Sequence, residues 1–148
     1  MPADPSLAQT LDIVAEAASI LQQPWWIIGS AAAVLAGLDE QVADVDLLTS
    51  EADAHRLLHA WGAQAEPPSP SPLFASTIFA RITLAPLPIE VMAGTQVRGE
   101  PLVPLTCLAV PWGDRRLYIP DRAEQIAILR RFGRDKDVRR AERLEALL

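Results

Sequence analysis

The chain has a single cysteine, Cys107, in 148 residues. One thiol cannot build an internal disulfide framework, and no CxxC pair exists to form a metal knuckle. Long apolar runs are also missing. The longest, Trp25–Ile28 and Ala31–Leu38, fall far short of the roughly 20 residues that a membrane span needs. The opening MPADPS is acidic and proline-bearing, unlike a secretory leader. Lysine is nearly absent, with Lys136 alone among 13 basic residues, and net charge is −6, so an evenly basic nucleic-acid binder is not expected. These shortages predict a soluble, cytoplasmic domain.

What is present sharpens that expectation. Hydrophobic residues make up 50% of the chain, which excludes general disorder. The length supports one compact domain over residues 1–148 with a sizeable core, and no second full domain. Charge is unevenly placed. Residues 1–114 carry three basic and thirteen acidic side chains, whereas residues 115–148 carry ten basic and six acidic. An acidic body suits hard cations and a basic tail suits phosphate. Solvated helix faces in an arginine-preferring genome would give the same split.

Ser6-Leu7-Ala8-Gln9 reads as a capping box, and the spacing of Leu7, Leu11, Val14, Ala18 and Leu21 predicts a helix ended by Pro24. These residues form an N-terminal helical section, 1–24. Trp25–Ile28 is a short β-prone run, apolar on both faces, as in a central buried strand. Gly29-Ser30 forms a turn, and a helix opens at Ala31–Leu38. Asp44–Leu48 alternates acidic and apolar residues as a strand does. Ser50 caps a helix that stops at Trp61-Gly62. Glu66–Pro72 is a stiff proline-rich loop. Phe74–Leu84 and Ile89–Met92 are strands, and Leu108–Val110 with Arg115–Ile119 form a hairpin around Gly113-Asp114. This sheet section covers 25–119. In the C-terminal section, 120–148, Asp121-Arg122-Ala123-Glu124 is a second capping box, opening a helix to Phe132, and a last helix covers Asp135–Leu147. The order predicts an α+β fold, a small mixed β-sheet flanked by helices.

Three pieces carry chemistry. The strand running into Gly29-Ser30 and a helix start lets the backbone approach a ligand closely and aims free amides at an anion. An ordinary strand–helix connection reads the same way. Asp44 and Asp46, two apart on a strand, project to one side and repel unless a cation or proton relieves them. Such paired oxygens suit Mg²⁺, and a decorated edge strand is the alternative. Glu90 is a lone acid inside the apolar strand Ile89–Met92. Its place is explained by facing the same metal site, or by a half-solvated strand face.

Together, Ile27-Ile28-Gly29-Ser30, the Asp44/Asp46 strand over Val42–Leu48 and Ile89-Glu90-Val91 resemble the nucleotidyltransferase superfamily with the DNA polymerase β-like fold. The tail, Leu129-Arg130-Arg131 and then Arg134-Asp135-Lys136-Asp137, is similar to the K-x-R-x-K-D ending of minimal (MNT- and AbiEii-like) members, although arginines stand where lysines are common. The resemblance spans roughly Trp25–Leu147. It implies transfer of a nucleoside monophosphate from an NTP to a hydroxyl acceptor on a small molecule, protein or RNA, with Mg²⁺ or Mn²⁺. It implies Asp44 and Asp46 as shared metal ligands, with Glu90 as a further ligand or base. Gly29 and Ser30 would hold the β- and γ-phosphates, and Lys136 and Arg134, with Arg130 less central, would neutralise the triphosphate. Pairing with Asp135 or Asp137 is the other reading of those cations. With no large helical domain after the sheet, the acceptor is small or a helical partner or second copy presents it. No membrane association and no broad nucleic-acid surface are expected.

Two other readings compete. One is a catalytically degenerate module that binds a nucleotide or a protein on the same fold. The other is an unrelated DxD fold such as a small phosphatase, which predicts no Gly-Ser turn beside the acids. Elsewhere, His55 and His59 are spaced as a zinc pair but read as an exposed polar face. Cys107 reads as a small core residue, Trp25 and Trp26 as core, and Trp112 as exposed at its turn.

Overall fold

A computed structural model describes every residue except Met1, Ala3 and Pro70. The expected loop Glu66–Pro72 is irregular on both sides of Pro70, which itself lies outside the described residues. Helix α1 covers Pro5–Ala17 and passes into a 3-10 turn at Ala18–Ile20 before Pro24. Its cap is Asp4, not Ser6: the Asp4 side chain accepts from the Ser6 N–H, and Pro5 takes the first helical position. Strand β1 (Trp26–Ile28) feeds α2 (Gly29–Leu35), which opens at Gly29 rather than Ala31. Strand β2 is Val45–Thr49, and α3 (Glu51–Ala60) is capped by Ser50 as expected.

The expected strand Phe74–Leu84 is broken in two, β3 (Phe74–Ala75) and β4 (Ile78–Ile82). The chain bends at Ser76-Thr77, opposite a matching bend at Gly94-Thr95 that follows β5 (Ile89–Ala93). The two bends are fastened by the Thr77 N–H to the Ala93 carbonyl and by the Ser76 and Thr95 hydroxyls, 2.9 Å apart. Thereafter β3 pairs with β6 (Gln96–Val97), which pairs with β7 (Glu100–Pro101). The hairpin β8 (Leu108–Trp112) and β9 (Arg115–Ile119) follows. Helices α4 (Arg122–Phe132) and α5 (Asp135–Glu145) close the chain, α5 stopping two residues short of Leu147. Asp121 caps α4, but Glu124 does not reach back to it. Glu124 instead accepts from the N–H groups of Leu105 and Thr106, and the Thr106 hydroxyl takes the Asp121 N–H.

The main sheet runs β1-β2-β5-β4, with β2 and β5 parallel and the outer pairs antiparallel. β1 is therefore an edge of this sheet, not a centre. It is still buried because β9 lies close beside it and its Ile27 joins the apolar cluster that holds Leu7 and Leu11 of α1. Alternation sends Ile27, Leu47 and Val91 into one apolar layer with Leu7, Leu11 and Leu57. Ile28 and Leu48 enter the opposite layer with Leu129, Phe132 and Leu144. Register places Ile28, Asp46, Glu90 and Arg81 in one row across four strands, on that second face. The sheet thus presents two carboxylates side by side, backed by an apolar core.

Two burial expectations are reversed. Trp112 is buried, because the hairpin packs on α1 and its indole N–H donates to Asp12 at 2.6 Å. Cys107 is exposed, in the loop before β8. Trp25 is core and meets Tyr118 edge-on at 5.3 Å, while Trp26 is half-buried with its indole N–H on the Thr106 carbonyl. His55 and His59 are both exposed.

Candidate active site

Val45 and Leu47, almost fully buried, pin β2 to the sheet and turn Asp46 to the other face. Asp44 stands one residue before the strand rather than on it. Even so, one carboxylate oxygen from each of Asp44, Asp46 and Glu90 lies within 4.8 Å of the others. Asp46 Oδ1 is buried and has no hydrogen-bond partner among the described residues. Burial, and then the negative charges of Asp44 and Glu90, push the Asp46 carboxyl well above its ordinary pKa, and Arg134 offsets part of this.

The turn after β1 reaches the same place. Gly29 has φ +71°, in the left-handed region, and a β-carbon there would lie 2.8 Å from Asp46 Oδ2. Glycine is thus required both by its torsion and by the close approach of the carboxylate. Ser30 follows in the first turn of α2, half-buried.

The basic tail arrives from the far side. Arg134 follows α4 and stands at the N-cap position of α5, where its Nε donates to Asp137 Oδ2 at 2.6 Å and its Nη2 to Oδ1 at 3.2 Å. Its guanidinium carbon sits 5.1 Å from the centre of the Phe74 ring and 5.9 Å from that of Phe132, a cation–π arrangement. A cavity of about 290 Å³ is lined by Asp44, Asp46, Glu90, Phe74, Arg134 and Lys136, among others. Five of the seven expected site residues therefore share one cavity. Gly29 meets it through Asp46, and Ser30 is not among the lining residues. Arg130 is turned away and pairs with Glu145.

Three neighbours were not legible beforehand. Arg81, opposite Glu90 on β4, donates from Nη1 to Glu90 Oε1 at 2.6 Å. Phe74 and Phe132 stack edge-on at 4.9 Å and form an aromatic wall beneath Arg134. Farther out, Arg140 grips Glu40 through Nε and Nη2 at 2.8–3.0 Å, tying α5 to the loop that leads into Asp44. The hydrogen bonds that Arg140 donates to Glu40, outweighing burial, hold its guanidinium still more firmly protonated, with Asp137 and Asp46 adding to it.

Neither protein-family models nor curated proteins match this sequence. Among solved structures, one from Thermotoga maritima superposes with a TM-score of 0.75 at 19% identity, covering 97% of this chain and 92% of that one. That protein is described, provisionally, as a nucleotidyltransferase. At this identity the likeness establishes the fold: the chain has a nucleotidyltransferase fold, α+β with a small mixed sheet, as the motifs implied. Gly29 of the Gly-Ser turn lies against Asp46, whereas an unrelated DxD fold predicts no such turn beside the acids.

Proposed function

We propose that this chain is a divalent-cation-dependent nucleotidyltransferase that moves a nucleoside monophosphate from an NTP to a hydroxyl acceptor. The observation that carries the reading is Asp46, whose buried Oδ1 has no hydrogen-bond partner among the described residues and whose carboxylate is one of three that converge. A buried, unpaired anionic oxygen is costly unless a cation or proton answers it. All-oxygen donors suit Mg²⁺ or Mn²⁺. Asp44, Asp46 and Glu90 would hold the ion or ion pair, which when bound supplies charge neutralisation at the phosphoryl oxygens.

The chain's own residues do the rest. Arg134 and Lys136 face the carboxylates across the cavity and would draw a triphosphate between them. The Gly29 backbone and the Ser30 hydroxyl would take the β- and γ-phosphates beside Asp46. The acceptor oxygen would attack the α-phosphorus as the bond to pyrophosphate breaks, and Glu90, if it does not complete the metal site, would take the acceptor's proton. Positioning of these groups, more than covalent chemistry, sets the rate in such reactions. We further propose that residues 1–148 act as one domain of the minimal subtype, in the cytoplasm, with a small acceptor or one presented by a helical partner or second copy. No helix among the described residues is long and apolar enough to cross a membrane.

The test is transfer of α-³²P label from each NTP, with Mg²⁺ or Mn²⁺, to candidate acceptors. Transfer lost in Asp46→Asn supports the reading. Tight NTP binding without transfer by the wild type identifies a binding module instead.

A further inference from the structure

Arg98 is the one non-glycine residue with positive φ among the described residues, at 49°. Arginine gains nothing from the left-handed region, and glycine would take it more easily. The side chain accounts for the choice. Its guanidinium donates to the last carbonyls of α4, to Phe132 O at 3.0 Å and to Arg131 O. Helix carbonyls at a C-terminus lack intrahelical partners and carry partial negative charge, so a cation is well placed there.

The link is reciprocal. Arg131 sends its Nη2 back to the carbonyls of Glu100 and Pro101, at 3.3 and 3.2 Å. Two arginines therefore buckle the β6–β7 turn to the end of α4. Of the residues fastened, Phe132 lines the cavity, and the others adjoin lining residues in sequence or strand register. Val97 pairs with Phe74, Phe132 ends α4, and Gly133 turns the chain at φ +73° into Arg134. A β-carbon on Gly133 would meet Arg98 Nη2 at 3.3 Å, so the turn and the guanidinium are closely fitted. Arg98 itself does not line the cavity.

We propose that Arg98 is a positioning residue: it fixes segment 131–136, and through it sets how Arg134 and Lys136 face the carboxylates and bind nucleotide phosphate. The phosphate part of this rests on the nucleotidyl-transfer reading, and the mechanical part does not.

The test uses the full chain with Arg98→Ala, Arg98→Lys and Arg98→Gly, compared with Arg134→Ala and the Arg98→Ala/Arg134→Ala double variant. Three readouts are taken: amide hydrogen exchange over 128–137, ATP affinity by calorimetry with Ca²⁺, and Mn²⁺ affinity without nucleotide by electron paramagnetic resonance. Arg98→Ala is expected to speed exchange over 131–136 and to weaken ATP by about 3- to 30-fold, the scale of one or two charge-assisted hydrogen bonds. Mn²⁺ affinity stays within about twofold, a change of under about 0.5 kcal/mol. Arg98→Lys recovers part of the loss, Arg98→Gly does not, and in the double variant the two losses are less than additive. Unchanged exchange, additive ATP losses or equal losses of ATP and Mn²⁺ would each overturn the proposal. A wild type that binds Mn²⁺ but no ATP defeats the nucleotide reading, and exchange then decides the buckle alone.

Discussion

Arg81 and Glu90 sit opposite each other in the antiparallel β4–β5 register and close a 2.6 Å ion pair at the edge of the carboxylate cluster. Glu90 therefore belongs to two partnerships, one with Arg81 and one with the two aspartates. Removing the arginine should leave the cluster more negative and Glu90 unguided. Arg81→Ala is expected to tighten Mn²⁺ by about 3- to 10-fold, since a neighbouring cation no longer competes, while nucleotidyl transfer falls. Manganese titration checks the first. Unchanged or weaker Mn²⁺ binding would show that Arg81 does not compete for the Glu90 carboxylate.

Asp46 gives a pH signature. Its carboxyl is raised in the folded state, chiefly by burial and then by its acidic neighbours, so the folded chain favours the protonated form. In metal-free protein that stabilising contribution is complete below the ordinary aspartate value near ~3.9 and is lost as pH rises through the raised one. Asp46→Asn escapes this loss. At neutral pH and without metal, it should melt several degrees higher than wild type, the scale of about 1 kcal/mol in a domain of this size. The gap should close in acid and shrink when Mg²⁺ is added. Transfer by the variant should fall about 100-fold or more. Melting curves across pH, with and without Mg²⁺, decide the matter; a variant less stable at neutral pH would contradict it.

Gly29 tolerates no side chain. Gly29→Ala forces a β-carbon to 2.8 Å from Asp46 Oδ2 and into a left-handed torsion. A cost of about 1–3 kcal/mol is expected, with Mn²⁺ binding weakened because Asp46 must move. Denaturant unfolding and metal titration on the same preparation separate the two effects. Wild-type values for both would show that the close approach is not maintained in solution.

Glu124 anchors the loop before β8. Burial pushes its carboxyl up, but the bonds from the Leu105 N–H and from the Thr106 hydroxyl and N–H outweigh this and hold it below its ordinary pKa. The stability it confers is present above the ordinary glutamate value near ~4.3 and is lost as pH falls through the depressed one. Glu124→Gln should cost about 1 kcal/mol at neutral pH after allowance for solvent screening, and nothing in strong acid. It should also speed alkylation of the exposed Cys107 at neutral pH by loosening residues 105–107. Equal unfolding free energies at neutral pH would remove the anchoring role.

Much of the candidate site was legible because it rests on local rules. Strand alternation places Val45 and Leu47 inward and Asp46 outward without knowledge of any partner. A glycine between a strand and a helix marks a sharp turn wherever it lies. Arg81, Phe74 and Phe132 were not legible, because each joins the site through a register or a helix end that no neighbouring residue specifies. Trp112 and Cys107 exchanged their expected burial for the same reason: α1 covers one and leaves the other outside. Glu124 has the spacing of a capping box, yet its carboxylate found better donors in a loop eighteen residues upstream.

By itself, the sequence determined the helices, the strands β1, β2 and β5, the β8–β9 hairpin, the sharp Gly29 turn, and the carboxylates at Asp44, Asp46 and Glu90, but not the break between β3 and β4 or the short strands β6 and β7. Period-2 and period-3.6 patterns and short-range sterics suffice for the former. Only the tertiary structure decided that β1 is an edge, that Glu90 stands beside Asp46, and that the basic tail reaches the acids through Arg134 and Lys136. Those outcomes depend on pairing between strands and helices distant in the chain. The balance there is between burying apolar faces and answering buried charge, which no local segment can strike alone.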